Sequence, residues 1–226
     1  MIKNQLKTVY TVGHSTISVE EFLSVVREYG INCIVDVRST PYSKFAPQFN
    51  MEKLQYFLKQ SSIQYIFMGR EFGARREEED LYDIKGELNF EKAAESKAFA
   101  DGIDRIEKGI QKGYIIAFMC TEKDPMDCHR SIMVGRKFSE LGYNVINILH
   151  DGTSVSQKEL EKRLLNKYFP QRDQICIFSL PEQINEDELD LVCQAYHNRN
   201  SEIAYKIDNR EANNESLYNR VYEKNG

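Results

Sequence analysis

The sequence predicts an α/β fold: a three-layer sandwich around a mostly parallel sheet of about five strands, with a C-terminal helical extension. Three observations carry this prediction. Short apolar, β-branched runs alternate with amphipathic stretches throughout residues 8–150, the pattern of a sheet covered by helices. The first strand, helix and second strand fit into about 30 residues, the length of a βαβ unit with a right-handed crossover. Each apolar run also stops at a polar or glycine-containing turn, so the strand ends are punctuated and the unusual polar residues collect there.

Leu6 to Val12 is β-branched and short, and ends at Gly13-His14-Ser15. Ser18 followed by Glu21 forms a capping box for a helix reaching about Tyr29; its buried stripe is Val19, Phe22, Leu23 and Val26, and Gly30 stops it. Cys33 to Val37 is the second strand. Asn50 is the expected cap of a helix over Met51 to Gln60, and Gln64 to Met68 is a third strand. The charged segment Arg70 to Asp83 reads as a loop or lid. A single helix is predicted from Phe90 to Gln111 on the stripe Ala94, Ala98, Ile103, Ile106 and Ile110, closed by Gly113.

Ile115 to Met119 is the fourth strand and leads into Cys120. After it come two helix-start signals, Asp124 with Pro125, or Asp127, and the sequence leaves both standing. The helix that follows ends near Leu141 and Gly142, and Val145 to Leu149 is the last parallel strand. Ser156 and Glu159 cap a helix to about Tyr168. This divides the chain into an α/β domain over 1–168 and a partly irregular extension over 169–226. In the extension, Ile175 to Leu180 reads as an edge strand, Asn185 as the cap of a helix over Glu186 to Tyr196, and structure is expected to fray after about Asn200.

Composition narrows the function classes. At 226 residues and 41% hydrophobic, the chain buries a full core. It contains no apolar run near the ~20 residues of a membrane span and no signal-peptide core at the start, so a cytoplasmic protein without membrane attachment is expected. Five cysteines, at 33, 120, 128, 176 and 193, form no disulfide framework. The net charge of −5 gives no general basic footprint, which leaves nucleic-acid binding to a local patch.

Ligands of open parallel sheets bind beyond the carboxyl ends of the strands. Placing the motifs on the predicted strands puts His14 after the first, Arg38 and Ser39 after the second, Gly69 and Arg70 after the third, Cys120 after the fourth, and His150 and Asp151 after the fifth. Cys120 and Cys128 are the candidate nucleophiles, with His14 or His129 as base or as the group that holds a thiolate. Cys128 at a helix start, beside Arg130, is the more reactive thiol by this reading. Arg38, Ser39, Arg70, Arg75 and Arg130 are the candidate ligand-binding residues, because guanidinium groups recognise phosphate or carboxylate bidentately. The bland readings stand beside these: buried cysteines packed as small hydrophobes, Arg38 paired with Asp36, and Arg75 and Arg76 paired with the acidic run Glu77 to Asp80. Zinc is the competing chemistry. Cys-x7-Cys-His lacks the tight spacing of structural zinc motifs and adjacent residues seldom share one metal, so no metal site is expected.

The string Cys120-Thr-Glu-Lys-Asp-Pro-Met-Asp-Cys-His-Arg130 resembles the signature of the domain of unknown function 488 family. Thr11-Val-Gly-His-Ser15, Asp36-Val-Arg-Ser-Thr-Pro-Tyr-Ser43 and Gly69 to Arg76 agree with it in the same order, over roughly residues 8–165. One piece departs from the pattern: Phe72-Gly-Ala-Arg75 stands where the family has Leu-Gly-Gly-Arg. The resemblance implies an α/β fold and no particular chemistry, so function rests on the residues.

They indicate a strand-end pocket for an anionic ligand, phosphate-bearing or nucleotide-like, in a thiol-dependent enzyme. A noncatalytic module for nucleic acid or a phospho-ligand is the alternative, and a structural partner protein a further one. Cofactor, reaction type, substrate and oligomeric state are not specified by the sequence.

Overall fold

The computed structural model describes residues 7–172 and 181–207. Five strands run parallel: β1 (Thr8–Gly13), β2 (Cys33–Asp36), β3 (Gln64–Phe67), β4 (Ile116–Cys120) and β5 (Asn144–Ile148). A sixth, β6 (Ser154–Ser156), pairs antiparallel with β5, giving the order β3-β2-β4-β1-β5-β6. The extra strand has only Val155 as an apolar residue, too little for a period-two signal.

Period-two alternation divides the strand side chains between two cores. Val12, Ile34, Ala117 and Met119 face one side, against Phe22 and Val26 of α1 (Val19–Glu28) and Leu54 and Leu58 of α2 (Met51–Gln60). Val9, Val35, Phe118 and Cys120 face the other. There they meet Phe99 and Ile106 of α5 (Lys97–Gln111), Phe138 of α6 (Arg136–Glu140), and Leu160 and Leu164 of α7 (Gln157–Tyr168). This is the predicted three-layer sandwich. The chain leaves β1 towards β2 beneath one face and leaves β4 towards β5 over the other, although β1 and β4 are neighbours. Their shared C-terminal end is therefore the topological switch point, where an open α/β sheet has its crevice.

Capping decides several element boundaries. Both predicted capping boxes form, Ser18 with Glu21 and Ser156 with Glu159. Asn50 precedes α2 as expected, but its side chain accepts from Ser43 N at 2.7 Å instead of capping the helix. The helix predicted over Phe90 to Gln111 is two, α4 (Phe90–Glu95) and α5. Ser96 breaks it with an extended backbone, its hydroxyl donating to Ala93 O at 2.7 Å and accepting from Phe99 N at 3.3 Å. Such local side-chain bonds compete with a continuous helix.

The charged segment after β3 carries a short helix, α3 (Gly69–Phe72), and one 3₁₀ turn at Glu79–Leu81. Arg76, largely buried, donates to the carbonyls of Arg70 and Glu71 at 2.7 and 2.8 Å and pairs with Glu78 at 3.2 Å, so this segment is tied down.

The last described helix, α8 (Pro181–Ile203), begins before Asn185 and runs past Tyr196. Proline is favoured at a first helical position, and here it overrides the Asn185 start signal. The expected edge strand at Ile175 to Leu180 lies outside the described residues, as does everything after Ile207. α8 packs on α7, where Tyr196 hydroxyl accepts from Gln157 Nε2 at 2.8 Å. Asn200 ties it to the segment before α4, accepting from Phe90 N at 2.7 Å and donating to Leu88 O at 2.8 Å.

Asn200 is buried and satisfies two buried backbone groups at once. Asn200→Ala is expected to cost about 2–6 kcal/mol, since each of the two orphaned polar groups carries a desolvation penalty of about 1–3 kcal/mol. Urea unfolding measures this, and a loss under about 0.5 kcal/mol would show that α8 is not held by this residue.

Candidate functional site

The site is built where β4 ends. Of the two start signals in the following loop, Asp124 with Pro125 is used, but only for a single 3₁₀ turn (Pro125–Asp127), Asp124 Oδ1 accepting from Met126 N at 2.8 Å. Cys128 is then extended (φ −136°, ψ 135°) and His129 helical (φ −58°, ψ −24°), opening a π-helical turn over Arg130–Gly135 that continues into α6. π turns of this kind are rare and occur often at functional sites.

This change of backbone direction brings two adjacent side chains together with Cys120. The Cys120 and Cys128 sulfurs and a His129 ring nitrogen all lie within 4.8 Å of one another. His129 Nδ1 is 3.8 Å from Cys120 Sγ and 4.0 Å from Cys128 Sγ. Its Nε2 is 2.9 Å from the Val37 carbonyl. A carbonyl only accepts, so Nε2 carries the hydrogen and Nδ1 is the atom offered to the sulfurs. Glu122 is exposed as a residue, yet its Oε2 turns in to 3.1 Å from Cys120 Sγ and 2.8 Å from Cys128 Sγ.

Behind the sulfurs lies Arg130, a fully buried side chain. Its guanidinium donates to Glu122 O at 2.7 Å and Lys123 O at 3.4 Å, and among the described residues it has no carboxylate partner. Gly13 makes room for this arrangement, because a Cβ there would stand 1.9 Å from Glu122 O and 3.0 Å from Arg130 Nη2. A buried cation without a carboxylate favours nearby anionic sulfur.

Burial opposes ionisation of Cys128, but the hydrogen bond from Cys120, the Arg130 charge and the His129 ring outweigh it and hold this thiol well below its ordinary value. Cys120 moves upward, through burial and then the neighbouring Cys128 sulfur and Glu122. The pair thus favours one negative charge, on Cys128. Burial lowers the His129 imidazole, yet the Cys128 sulfur and Glu122 together raise it. The Glu122 carboxyl is raised by its own burial and by Cys128.

His14 does not join this cluster: no hydrogen bond links it to either thiol. The ring stacks on Phe49 with centroids 4.2 Å apart, and Nδ1 lies 2.8 Å from Ser15 O. Nε2 lies 3.2 Å from Arg38 Nη1; a guanidinium only donates, so Nε2 accepts and Nδ1 holds the hydrogen. Arg38 in turn is bidentate to Asp36, at 2.9 and 2.5 Å, and Tyr65 donates to the same carboxylate at 2.7 Å. The bland reading of Arg38 as an ion pair therefore holds, and Arg38 braces the site while forming part of its wall.

A pocket of about 440 Å³ opens over the cluster. Arg38, Ser39 and Thr40 line it from the β2 end, Cys120, Thr121 and Glu122 from the β4 end, with His129, Ala74 and Arg75 beside them and Ile203 and Tyr205 closing the far wall. Arg75 is exposed, stacks on the Tyr205 ring at 4.7 Å and has no carboxylate partner among the described residues. Its backbone N donates to Ser39 Oγ at 2.8 Å. Ala74 stands in place of the family's second glycine without strain, since the only left-handed residues other than glycine among those described are Ser15 and Ser62.

Of the sequence-predicted residues, Cys120, His129, Arg38, Ser39 and Arg75 line this pocket, Cys128 and Arg130 lie behind it, and His14 and Arg70 are not in its wall. Glu122 and Tyr205 are additions. Glu122 was legible as the second residue after Cys120, whereas nothing in the C-terminal sequence pointed to Tyr205. A smaller cavity of about 220 Å³ between α4 and α6, lined by residues including Phe90, Met133 and Arg136, contains neither thiol nor histidine.

The family described as Domain of unknown function DUF488 matches residues 18–136, about half of the chain. The chain belongs to this family. Neither a curated protein nor a solved structure matches it. The DUF488 match is narrower than the stretch over which the motifs agree, but it contains β2, Arg75 and the whole Cys120 to Arg130 loop. The Thr11 to Ser15 motif lies outside the match, yet the fold sets Gly13 against Glu122 of that loop.

Two predictions follow from the buried groups. Burial, then the Arg38 charge, pushes the His14 imidazole down from its ordinary value to about 4. The unfolded chain takes up this proton near pH 6.5 and the native one only near 4, so stability falls as pH drops through that window, by at most about 3 kcal/mol. His14→Gln should flatten this acid limb in urea unfolding, and unchanged acid sensitivity would contradict the assignment. Gly13→Ala should destabilise by more than about 3 kcal/mol, because backbone must move to admit the methyl; a wild-type melting temperature would contradict the close approach.

Proposed function

We propose that this DUF488 protein is a thiol-dependent enzyme that binds an anionic, phosphate-bearing ligand at the switch point of its sheet. The observation that carries the proposal is that one pocket is lined by Arg75, a cation without a carboxylate partner among the described residues, and by Cys120 and His129. A ligand whose anion meets Arg75 and the Ser39 hydroxyl lies in the cavity that Cys120 lines. Cys120 is the thiol facing that ligand, Cys128 the second thiol behind it, and His129 Nδ1 the group able to pass a proton at either sulfur.

The noncatalytic nucleic-acid reading draws less support. It needs four free arginines, whereas Arg38 is spent on Asp36 and Arg130 on backbone carbonyls. Arg70 and Arg75 alone are too few for a strong phosphate-backbone contact, and the net charge is −5.

Calorimetric titration with inorganic phosphate, pyrophosphate and a nucleoside monophosphate tests the reading. At least one of them should bind, and Arg75→Ala should weaken it about tenfold or more, on the order of 1.4 kcal/mol for a lost charge-assisted contact. Arg70→Ala should leave the affinity unchanged. Equal affinity in wild type and Arg75→Ala would overturn the proposal. A steep salt dependence together with tight oligonucleotide binding would favour the nucleic-acid reading instead.

A further inference from the structure

We propose that Cys120, Cys128 and His129 together bind a soft divalent metal ion of the zinc class, with one coordination position facing the pocket. This rests on the reading that the cluster is the working centre, and not on the identity of the anion.

Sequence spacing argued against a metal, since Cys128 and His129 are adjacent. The backbone removes that objection: an extended Cys128 followed by a helical His129 turns both side chains towards Cys120. The distances suit an ion. Two donors about 2.0–2.3 Å from a tetrahedral centre stand about 3.6 Å apart, and the two sulfur-to-Nδ1 separations are 3.8 and 4.0 Å. All three donor atoms lie within 4.8 Å of one another, so side-chain rotation has to draw them inward around the ion.

The surroundings match those of a metal-bound imidazole. Nε2 is fixed on the Val37 carbonyl at 2.9 Å, which sets the tautomer and aims the Nδ1 lone pair at the two sulfurs. Arg130, buried and without a carboxylate partner among the described residues, favours thiolates on that side. The donors sit on rigid elements, Cys120 at the end of a central strand and the other two at the start of a buried helical turn. Soft sulfur and imidazole donors select zinc, or cobalt as its probe, over magnesium or calcium.

Cys120 and His129 also line the pocket, so the position left by three protein donors opens towards it, the arrangement of a catalytic rather than a structural site. On binding, each thiol still protonated loses its proton, and Glu122, against both sulfurs, is placed to accept it and pass it to solvent. No redox change is involved.

The test is titration of reduced, chelator-stripped protein with Co²⁺. One ion should bind per chain, with thiolate-to-cobalt charge-transfer absorption and tetrahedral visible bands, displaced by Zn²⁺. Cys120→Ser and Cys128→Ser should each weaken binding by roughly a hundredfold or more, with proton release on the order of one to two per ion in the parent protein. Cys193→Ser, at an exposed cysteine outside the cluster, should change nothing. Should a cluster variant fail to fold, X-ray absorption of the wild-type complex decides, and two sulfurs and one imidazole in the first shell are expected.

Absence of charge-transfer absorption, or a coordination shell of oxygen and nitrogen alone, would overturn the proposal. Phosphate titration of the stripped protein keeps the two readings apart. Anion binding without metal leaves the pocket reading standing and removes this one. Metal binding without any anion affinity does the reverse.

Discussion

The geometry of the site depends on one buried cation. Arg130 is fully excluded from solvent, and its guanidinium holds the carbonyls of Glu122 and Lys123 just after the end of β4. Burying a charge is costly unless it is hydrogen bonded and near opposite charge. The carbonyls supply the first condition at the two terminal nitrogens, Nε having no partner among the described residues, and the sulfur pair supplies the second. Because Gly13 has no side chain, the Glu122 carbonyl can sit against β1, and the loop is drawn across the switch point instead of swinging into solvent. Cys120, Glu122, Cys128 and His129 converge as a consequence.

A second network supports the neighbouring strand end. Asp36 accepts from Arg38 and Tyr65, Arg38 donates to His14 and to Phe49 O, and His14 stacks on Phe49. These groups answer one another's hydrogen-bonding needs, which is what a buried polar network requires to be stable. It brings Val37 O into register with His129 Nε2, so the β2 end orients the imidazole that lies beside the two thiols. The C-terminal segment adds the last wall: Arg199 donates to Met126 O at 2.7 Å and pairs with Asp127, and beyond it Ile203 and Tyr205 face the pocket.

Much of this was legible in the sequence because it follows from local chemistry. The five parallel strands were visible as apolar runs, and both capping boxes as Ser-x-x-Glu. The collection of polar residues at strand ends followed from the fold class alone. What the sequence hid was long-range or conformational. Ser96 looked like one more helical residue until its hydroxyl was seen to bond both sides of a break. His14 read as a partner for a thiol, yet its ring is claimed by Arg38 and Phe49, residues 24 and 35 positions away. Arg130 read as an anion ligand because a guanidinium recognises phosphate bidentately, but the carbonyls of Glu122 and Lys123 take its terminal nitrogens. Cys128 and His129 looked too close in sequence to share one metal, whereas the switch from extended to helical backbone between them turns both side chains towards Cys120.

On the proposed reading, the cysteine cluster forms the floor of an anion pocket. Cysteine-by-cysteine alkylation kinetics test it most directly, measured by peptide mass spectrometry on reduced, chelator-treated protein at neutral pH with and without saturating pyrophosphate. Cys33 is the internal standard, since burial in its strand pushes its thiol up to about 11. Cys128, the thiol held low, should react faster than Cys33 and be protected by the anion, while exposed Cys193 reacts equally in both conditions. A Cys128 as slow as Cys33, or as fast with the anion as without it, would contradict this.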